Sequence, residues 1–254
     1  MKFFHAVCLL IVTAGVLSCS HPHDANVALE SHADKGQIVV SQCDTLLCEV
    51  FDSPLEARLR AMGLVDISEM DSSIAVHLVY ATPYNFLGKQ LYHDLNKAFM
   101  LPDLAEKVLK AQQALKKIRP DLNLLIYDAS RPVSVQFAMW DMVKGTSMMS
   151  YVSNPNKGHG MHNYGAAVDV TLMDCTGKPL PMGSEYDYFG REANTDCEQQ
   201  LLEEGRITKR ELENRLLLRK VMTGTGLHTI QSEWWHFNLT NSETERQQFQ
   251  LIDF

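Results

Sequence analysis

Two short segments hold side chains whose types and spacing suit metal-assisted hydrolysis. The first is His162-Asn163-Tyr164-Gly165-Ala166-Ala167-Val168-Asp169, and the second, about seventy residues on, is Glu233-Trp234-Trp235-His236. Together they supply two imidazoles, one carboxylate that could bind a metal, and a second carboxylate free to move protons. A catalytic zinc site takes three protein ligands from His and Asp/Glu, keeps a fourth position open for water, and has a base nearby. Zinc lowers the pKa of bound water to about 7, which gives a nucleophile strong enough for an amide at neutral pH. Singly, each segment is weak: a Glu-x-x-His tetrapeptide arises by chance, and a lone histidine is usually a satisfied core residue.

Certain elements must position these side chains. Ala166–Leu172 is a β-branched run that reads as a buried strand. A carboxylate there is costly unless it is paired or bound to a cation. On the pleat, Ala167, Asp169 and Thr171 share one face. His162 lies seven residues before Asp169, an odd offset that would put it on the opposite face of a continuous strand. The intervening Asn163-Tyr164-Gly165 must therefore turn or bulge, which Gly165 permits. Glu233 and His236 are three apart, on one face of a helix but opposite faces of a strand. The run Trp234–Leu239 reads as strand, so a bend is expected near Glu233. Trp234 and Trp235 read as core packing, and beside a metal they would also exclude water.

Upstream, the apolar strand candidate Leu124–Tyr127 ends shortly before Arg131, and Pro132 is placed to start a helix. Arg131 at that strand end is either a surface ion pair with Asp128 or a site guanidinium. Pro102 and Asp103 open a helix with Leu104, Val108, Ala111, Leu115 and Ile118 on one face. Thr208 and Glu211 form a capping box ahead of Leu212 and Leu216, in a helix that stops near Gly224. Asp66-Ile67 and Ile74–Tyr80 suggest early strands, with His77 on a strand face. Strands and helices are interspersed, which points to an α+β domain whose antiparallel sheet forms the metal floor, flanked by helices.

These residues resemble a known family, the zinc D-alanyl-D-alanine dipeptidases, within the wider group that includes D,D-carboxypeptidases and the Hedgehog signalling domain. The family pattern is Ser-x-His-x-x-Gly-x-Ala-x-Asp followed by Glu-x-Trp-His. An Asp-x-x-Arg-Pro element precedes it, seen as Asp128-Ala129-Ser130-Arg131-Pro132. Tyr80–Gly88 and Met182–Phe189 also look like the dipeptidase branch, and the similarity runs in order over roughly residues 60–240. The resemblance implies that His162, Asp169 and His236 bind one zinc ion per chain. It implies Glu233 as general base and then acid, Arg131 as the oxyanion stabiliser, and the D-Ala-D-Ala dipeptide as substrate. One position departs: the family serine two residues before the first histidine is Gly160 here. A side-chain contact that helps to hold the dipeptide is thereby missing. His159 beside it is either an exposed loop histidine or a substitute. Two other readings compete: a D,D- or L,D-carboxypeptidase trimming peptidoglycan stems, and a zinc-stabilised binding module without turnover. Glu233 and Arg131 argue against the module, which has no need of either.

The chain of 254 residues is long enough for one domain of about 200 residues with a full core. Its formal net charge of −8, with no Lys/Arg run, argues against a nucleic-acid partner. Lys2, the apolar run Phe3–Leu17 and Ser18-Cys19-Ser20 read as a secretory signal over residues 1–18, too short to span a membrane. Ser18-Cys19 resembles a bacterial lipobox, so Cys19 would carry lipid and hold an exported enzyme on a membrane face, since several acyl chains anchor stably. The alternative is an ordinary secreted protein with Cys19 free or paired. Residues 19–54 read as a polar tether, whose His21, His23 and His32 could capture metal but read as solvated linker, and 55–254 as the catalytic domain. Cys8 leaves with the signal. Cys43, Cys48, Cys175 and Cys197 then suggest two disulfides, with Cys43–Cys48 and Cys175–Cys197 the preferred pairing.

Overall fold

Ser53 starts the first helix, α1 (Pro54–Ala61), because its hydroxyl accepts from the Glu56 N–H while the Glu56 carboxylate accepts from the Ser53 N–H. The protein is seen here as a computed structural model that describes residues 51–254. The signal segment 1–18, the lipid site Cys19, the tether as far as residue 50 and the Cys43–Cys48 pair lie outside the described residues. After α1 come β1 (Val65–Asp66), α2 (Ile67–Met70), β2 (Ala75–Val76), β3 (Phe99–Met100), α3 (Pro102–Ile118) and β4 (Leu122–Asp128). Then follow α4 (Val133–Val143), β5 (Ala167–Asp174), α5 (Glu198–Glu203), α6 (Lys209–Thr223), β6 (His228–Thr229), β7 (His236–Asn238) and α7 (Glu243–Arg246).

Five strands make one sheet in the order β2-β4-β5-β7-β6, antiparallel throughout except for the parallel β2–β4 edge. The expected α+β fold is present, with that parallel pair as its one departure from an antiparallel sheet. Central β5 divides its side chains by the pleat. Val168, Val170 and Leu172 enter the core with Leu104, Val108 and Leu115 of α3 and Leu218 and Met222 of α6. Ala167, Asp169 and Thr171 take the other face, which leaves that face for chemistry.

Local expectations fare unevenly, for physical reasons. α3 has Pro102 in its first turn and buries Leu104, Val108, Ala111 and Leu115, but Ile118, its last residue, is 45 % exposed. The capping box of α6 is formed, yet Leu216 is 48 % exposed. Buried Arg215 takes the inner face instead, donating to the carbonyls of Met182, Glu192 and Asn194. That guanidinium ties the 182–194 segment onto α6. The segment Ile74–Tyr80 yields only the two-residue β2, because the chain turns at Val79–Ala81 and buries Tyr80. Ile67 opens α2 rather than extending β1, with Asp66 as its cap. The Cys175–Cys197 bridge is not formed. Cys175 is exposed in the turn after β5, Cys197 stands at the start of α5 with its Sγ–H donating back to the Arg191 carbonyl, and both thiols are free.

Candidate metal centre and catalytic cleft

Antiparallel pairing sets Asp169 of β5 directly opposite His236 of β7, so their side chains stand together on one sheet face. His162 arrives from a short 3-10 turn, Met161–Tyr164, closed by Gly165 at φ +64°. A Cβ on Gly165 would lie 2.6 Å from Leu64 Cδ2 and 3.0 Å from Ser130 Oγ, so both backbone conformation and space demand glycine. This turn resolves the odd seven-residue offset. Three atoms then form a near-equilateral triangle. His162 Nε2 is 3.2 Å from Asp169 Oδ1 and 3.1 Å from His236 Nδ1, and the latter two are 3.0 Å apart. Metal bonds of about 2.0–2.1 Å at tetrahedral angles place ligand atoms about 3.3 Å apart. The triangle and its two-nitrogen, one-oxygen donor set therefore fit a divalent metal ion.

The atom of each side chain that points away from the triangle is engaged. His162 Nδ1–H donates to the Ala129 carbonyl at 2.7 Å, which leaves Nε2 as the lone-pair nitrogen. His236 Nε2–H donates to Asn238 Oδ1 at 2.7 Å, which leaves Nδ1. Asp169 Oδ2 accepts from the Tyr186 hydroxyl at 2.9 Å, which leaves Oδ1. Such outer contacts choose the tautomer and fix the ring, and losing one typically weakens metal binding by about 10–100-fold. Tyr186→Phe, which keeps the ring and removes the hydroxyl, is expected to weaken metal binding by about that factor. Competition with a chromogenic chelator measures it, and an unchanged affinity would remove Tyr186 from the site.

Burial alone would raise the Asp169 carboxyl, but the His162 and His236 imidazoles reverse this and hold it below the usual carboxylate range. Burial pulls the His236 imidazole down, yet its hydrogen bond to Asp169 and that residue's charge push it up to about 9. The carboxylate thus draws a positive charge to the point that the three atoms share.

Glu233 lies in the irregular chain just before β7, where parity required a bend. Its Oε2 is 3.8 Å from His236 Nδ1, and among the described residues no protein group hydrogen-bonds its carboxylate. Burial raises its pKa, with the Asp169 charge adding to that and the His236 charge opposing it. Arg131 pairs with Asp128, but the pair is buried rather than at the surface. Its Nε and Nη2 donate to Asp128 Oδ2 at 3.0 and 2.6 Å, Nη1 donates to Gln136 at 3.1 Å, and Nη2 stands 4.0 Å from Asp169 Oδ2. Asp128 is itself buried and accepts from the Tyr92 hydroxyl. The guanidinium is therefore clamped in one orientation, with N–H groups on Nη1 and Nη2 uncommitted.

These five residues line one cleft of about 540 Å³. The two tryptophans part company. Trp235 lines the cleft edge-on to Tyr186, while Trp234 donates its N–H to Ser184. Sequence reasoning gave no role to Tyr186, Asn238, Gln136 or Asp187. Asn238 was within reach, two residues beyond His236 on the same strand face. Asp187 was not, because it depends on a loop conformation. It is the one described non-glycine residue with positive φ, 58°, and its carboxylate accepts from the Tyr80 hydroxyl at 2.8 Å. Burial pushes the Asp187 carboxyl well above its usual range, and it lines the same cleft.

The sequence model of the D-ala-D-ala dipeptidase family matches residues 60–253. The D-alanyl-D-alanine dipeptidase of Escherichia coli (strain K12) is 32 % identical over 179 residues, covering 69 % of this chain and 84 % of that protein. The D-alanyl-D-alanine dipeptidase of Enterococcus faecium is 27 % identical, covering 70 % of this chain and 92 % of its own. That of Synechocystis sp. (strain ATCC 27184 / PCC 6803 / Kazusa) is 26 % identical, with 74 % and 88 % covered. The family match spans all five residues of the cleft as well as the sheet that carries them, and this chain belongs to the D-ala-D-ala dipeptidase family.

Proposed function

We propose that the chain is a zinc-dependent D,D-dipeptidase that hydrolyses D-alanyl-D-alanine, with His162, Asp169 and His236 as the metal ligands. The observation that carries this reading is the donor triangle with an uncommitted carboxylate, Glu233, beside it and a clamped guanidinium, Arg131, within reach. Zinc suits a set of two imidazole nitrogens and one carboxylate oxygen, and when bound it supplies a Lewis acid and a water of lowered pKa. Glu233 would serve as the base that accepts a proton at the attacking water and returns it to the departing amine, and burial raises its carboxyl above the usual range. Arg131 turns its free N–H groups toward the oxygen on which negative charge grows, and the Asp128 and Gln136 contacts spare it any reorganisation.

The cleft also favours a short substrate. Asp187 lines the cleft, and its carboxylate is bonded only by the Tyr80 hydroxyl among the described residues. An ammonium group is the natural partner for such a carboxylate. A free dipeptide carries its ammonium within one residue of the bond to be cut, whereas a peptidoglycan stem carries an amide there. This favours the dipeptidase over the carboxypeptidase reading. A binding module, in turn, has no use for the uncommitted carboxylate of Glu233.

Zinc-loaded protein incubated separately with D-Ala-D-Ala and with a pentapeptide stem tests the choice by D-Ala release. Cleavage of the dipeptide alone is expected. Cleavage of the stem would select the carboxypeptidase, and cleavage of neither would select the module. We also propose an exported, lipid-anchored location, on the strength of Lys2, the apolar Phe3–Leu17 and Ser18-Cys19. Labelled palmitate should enter the protein in bacterial cells and fail to enter Cys19→Ala. Equal labelling of both would refute the anchor.

A further inference from the structure

Between Asp141 and Asp169 the chain has no acidic residue, and within that stretch Ser153, Lys157, His159 and Gly160 line the cleft. Three details of this wall have no part in the machinery described above. Gly160 has an ordinary φ of −73°, and a Cβ built on it would meet nothing closer than Asn163 Oδ1 at 3.9 Å and Ser153 Oγ at 4.0 Å. Neither backbone strain nor crowding therefore calls for glycine, and the space a side chain would take there opens toward the Ser153 hydroxyl. That hydroxyl bonds no protein group among the described residues, although its residue is firmly placed. The Ser153 carbonyl accepts from Gln136 Nε2 at 2.9 Å, and the same Gln136 accepts from Arg131. His159 Nδ1 is the one buried side-chain nitrogen or oxygen with no partner among the described residues. Its ring is packed edge-on to Tyr164 at 6.5 Å, and a half-turn about Cβ–Cγ carries that nitrogen to the other edge of the ring. An unpaired buried nitrogen is costly, and because the ring lines a cleft, a group entering with a ligand would relieve it.

From these details, and resting on the dipeptidase reading, we infer that Ser153 and His159 together bind the C-terminal carboxylate of the dipeptide, in the place that Gly160 leaves empty. Lys157 adds positive charge to the same wall. A carboxylate is the only anionic group on a free D,D-dipeptide, and this acid-free stretch offers it a hydroxyl, an imidazole N–H and an ammonium.

The test compares D-Ala-D-Ala with D-alanyl-D-alaninamide, which lacks the charge. Wild-type protein is expected to prefer the acid. In the Ser153→Ala/His159→Ala protein KM for D-Ala-D-Ala should rise about tenfold or more, kcat should stay within about twofold, and the preference for acid over amide should vanish. Metal content should match wild type. Adding Gly160→Ser to that protein should restore a low KM, a recovery that no merely structural defect would show. A wild-type KM in the double variant, a raised KM with the acid preference intact, or no recovery with Gly160→Ser would each overturn the assignment. If wild-type protein leaves D-Ala-D-Ala uncut, the dipeptidase reading fails first and takes this assignment with it.

Discussion

A Glu233→Gln protein is expected to hold its metal and to cleave D-Ala-D-Ala about 10²–10⁴-fold more slowly than wild type, the usual worth of a positioned acid–base group. The substitution preserves size and polarity but cannot accept a proton or deliver one. Three features of the site make Glu233 the group to remove. Its Oε2 is 3.8 Å from His236 Nδ1, so it stands beside the donor triangle without belonging to it. No protein group among the described residues engages its carboxylate. Burial raises its carboxyl above the usual range, against the opposing charge of His236. Metal analysis alongside kcat distinguishes the outcomes. Retained metal with lost turnover supports the acid–base role, whereas full activity would take Glu233 out of the mechanism.

Much of this site could be read from the chain before any coordinates, and the division between legible and illegible follows range. Parity arguments needed only neighbours: the seven-residue offset demanded the turn that Gly165 closes, and the three-residue offset of Glu233 and His236 demanded a bend. A buried aspartate in an apolar strand demanded a counter-charge. Elements with strong local signals, the Pro102 helix start and the Thr208–Glu211 box, formed as read. What escaped depends on distant partners. Leu216 faces solvent because Arg215 is drawn inward by three carbonyls of another segment. Tyr80 leaves a strand-like run to reach Asp187, more than a hundred residues away. Cys175 and Cys197 looked pairable by count, but Cys175 is exposed in the turn after β5 while Cys197 sits at the start of α5 with its Sγ on the Arg191 carbonyl. Arg131 could be read as an ion pair or as a site residue. Only the fold shows that its pair with Asp128 is buried at the wall of the cleft.

Asp169→Asn should show the complementary failure, losing metal and turnover together. The carboxylate is the one formal negative charge in the triangle, and both imidazole nitrogens lie within 3.2 Å of its Oδ1. The amide has nearly the same shape and can still accept from the Tyr186 hydroxyl, so the fold should survive. The register of β5 with β7 is set by backbone pairing, not by this side chain. The attraction for a dication is what disappears, and the amide presents either a neutral oxygen or an N–H group to the two rings. Disturbing an outer contact of a ligand costs about 10–100-fold in metal affinity, so removing a charged ligand should cost more than about 100-fold. Metal should therefore dialyse away and D-Ala release should fall to background, while the thermal transition of the metal-free protein matches metal-free wild type. One metal per chain after dialysis would exclude Asp169 as a ligand. Set beside Glu233→Gln, the variant separates two carboxylates in one cleft by what each loss takes with it: a metal in one case, a proton path in the other.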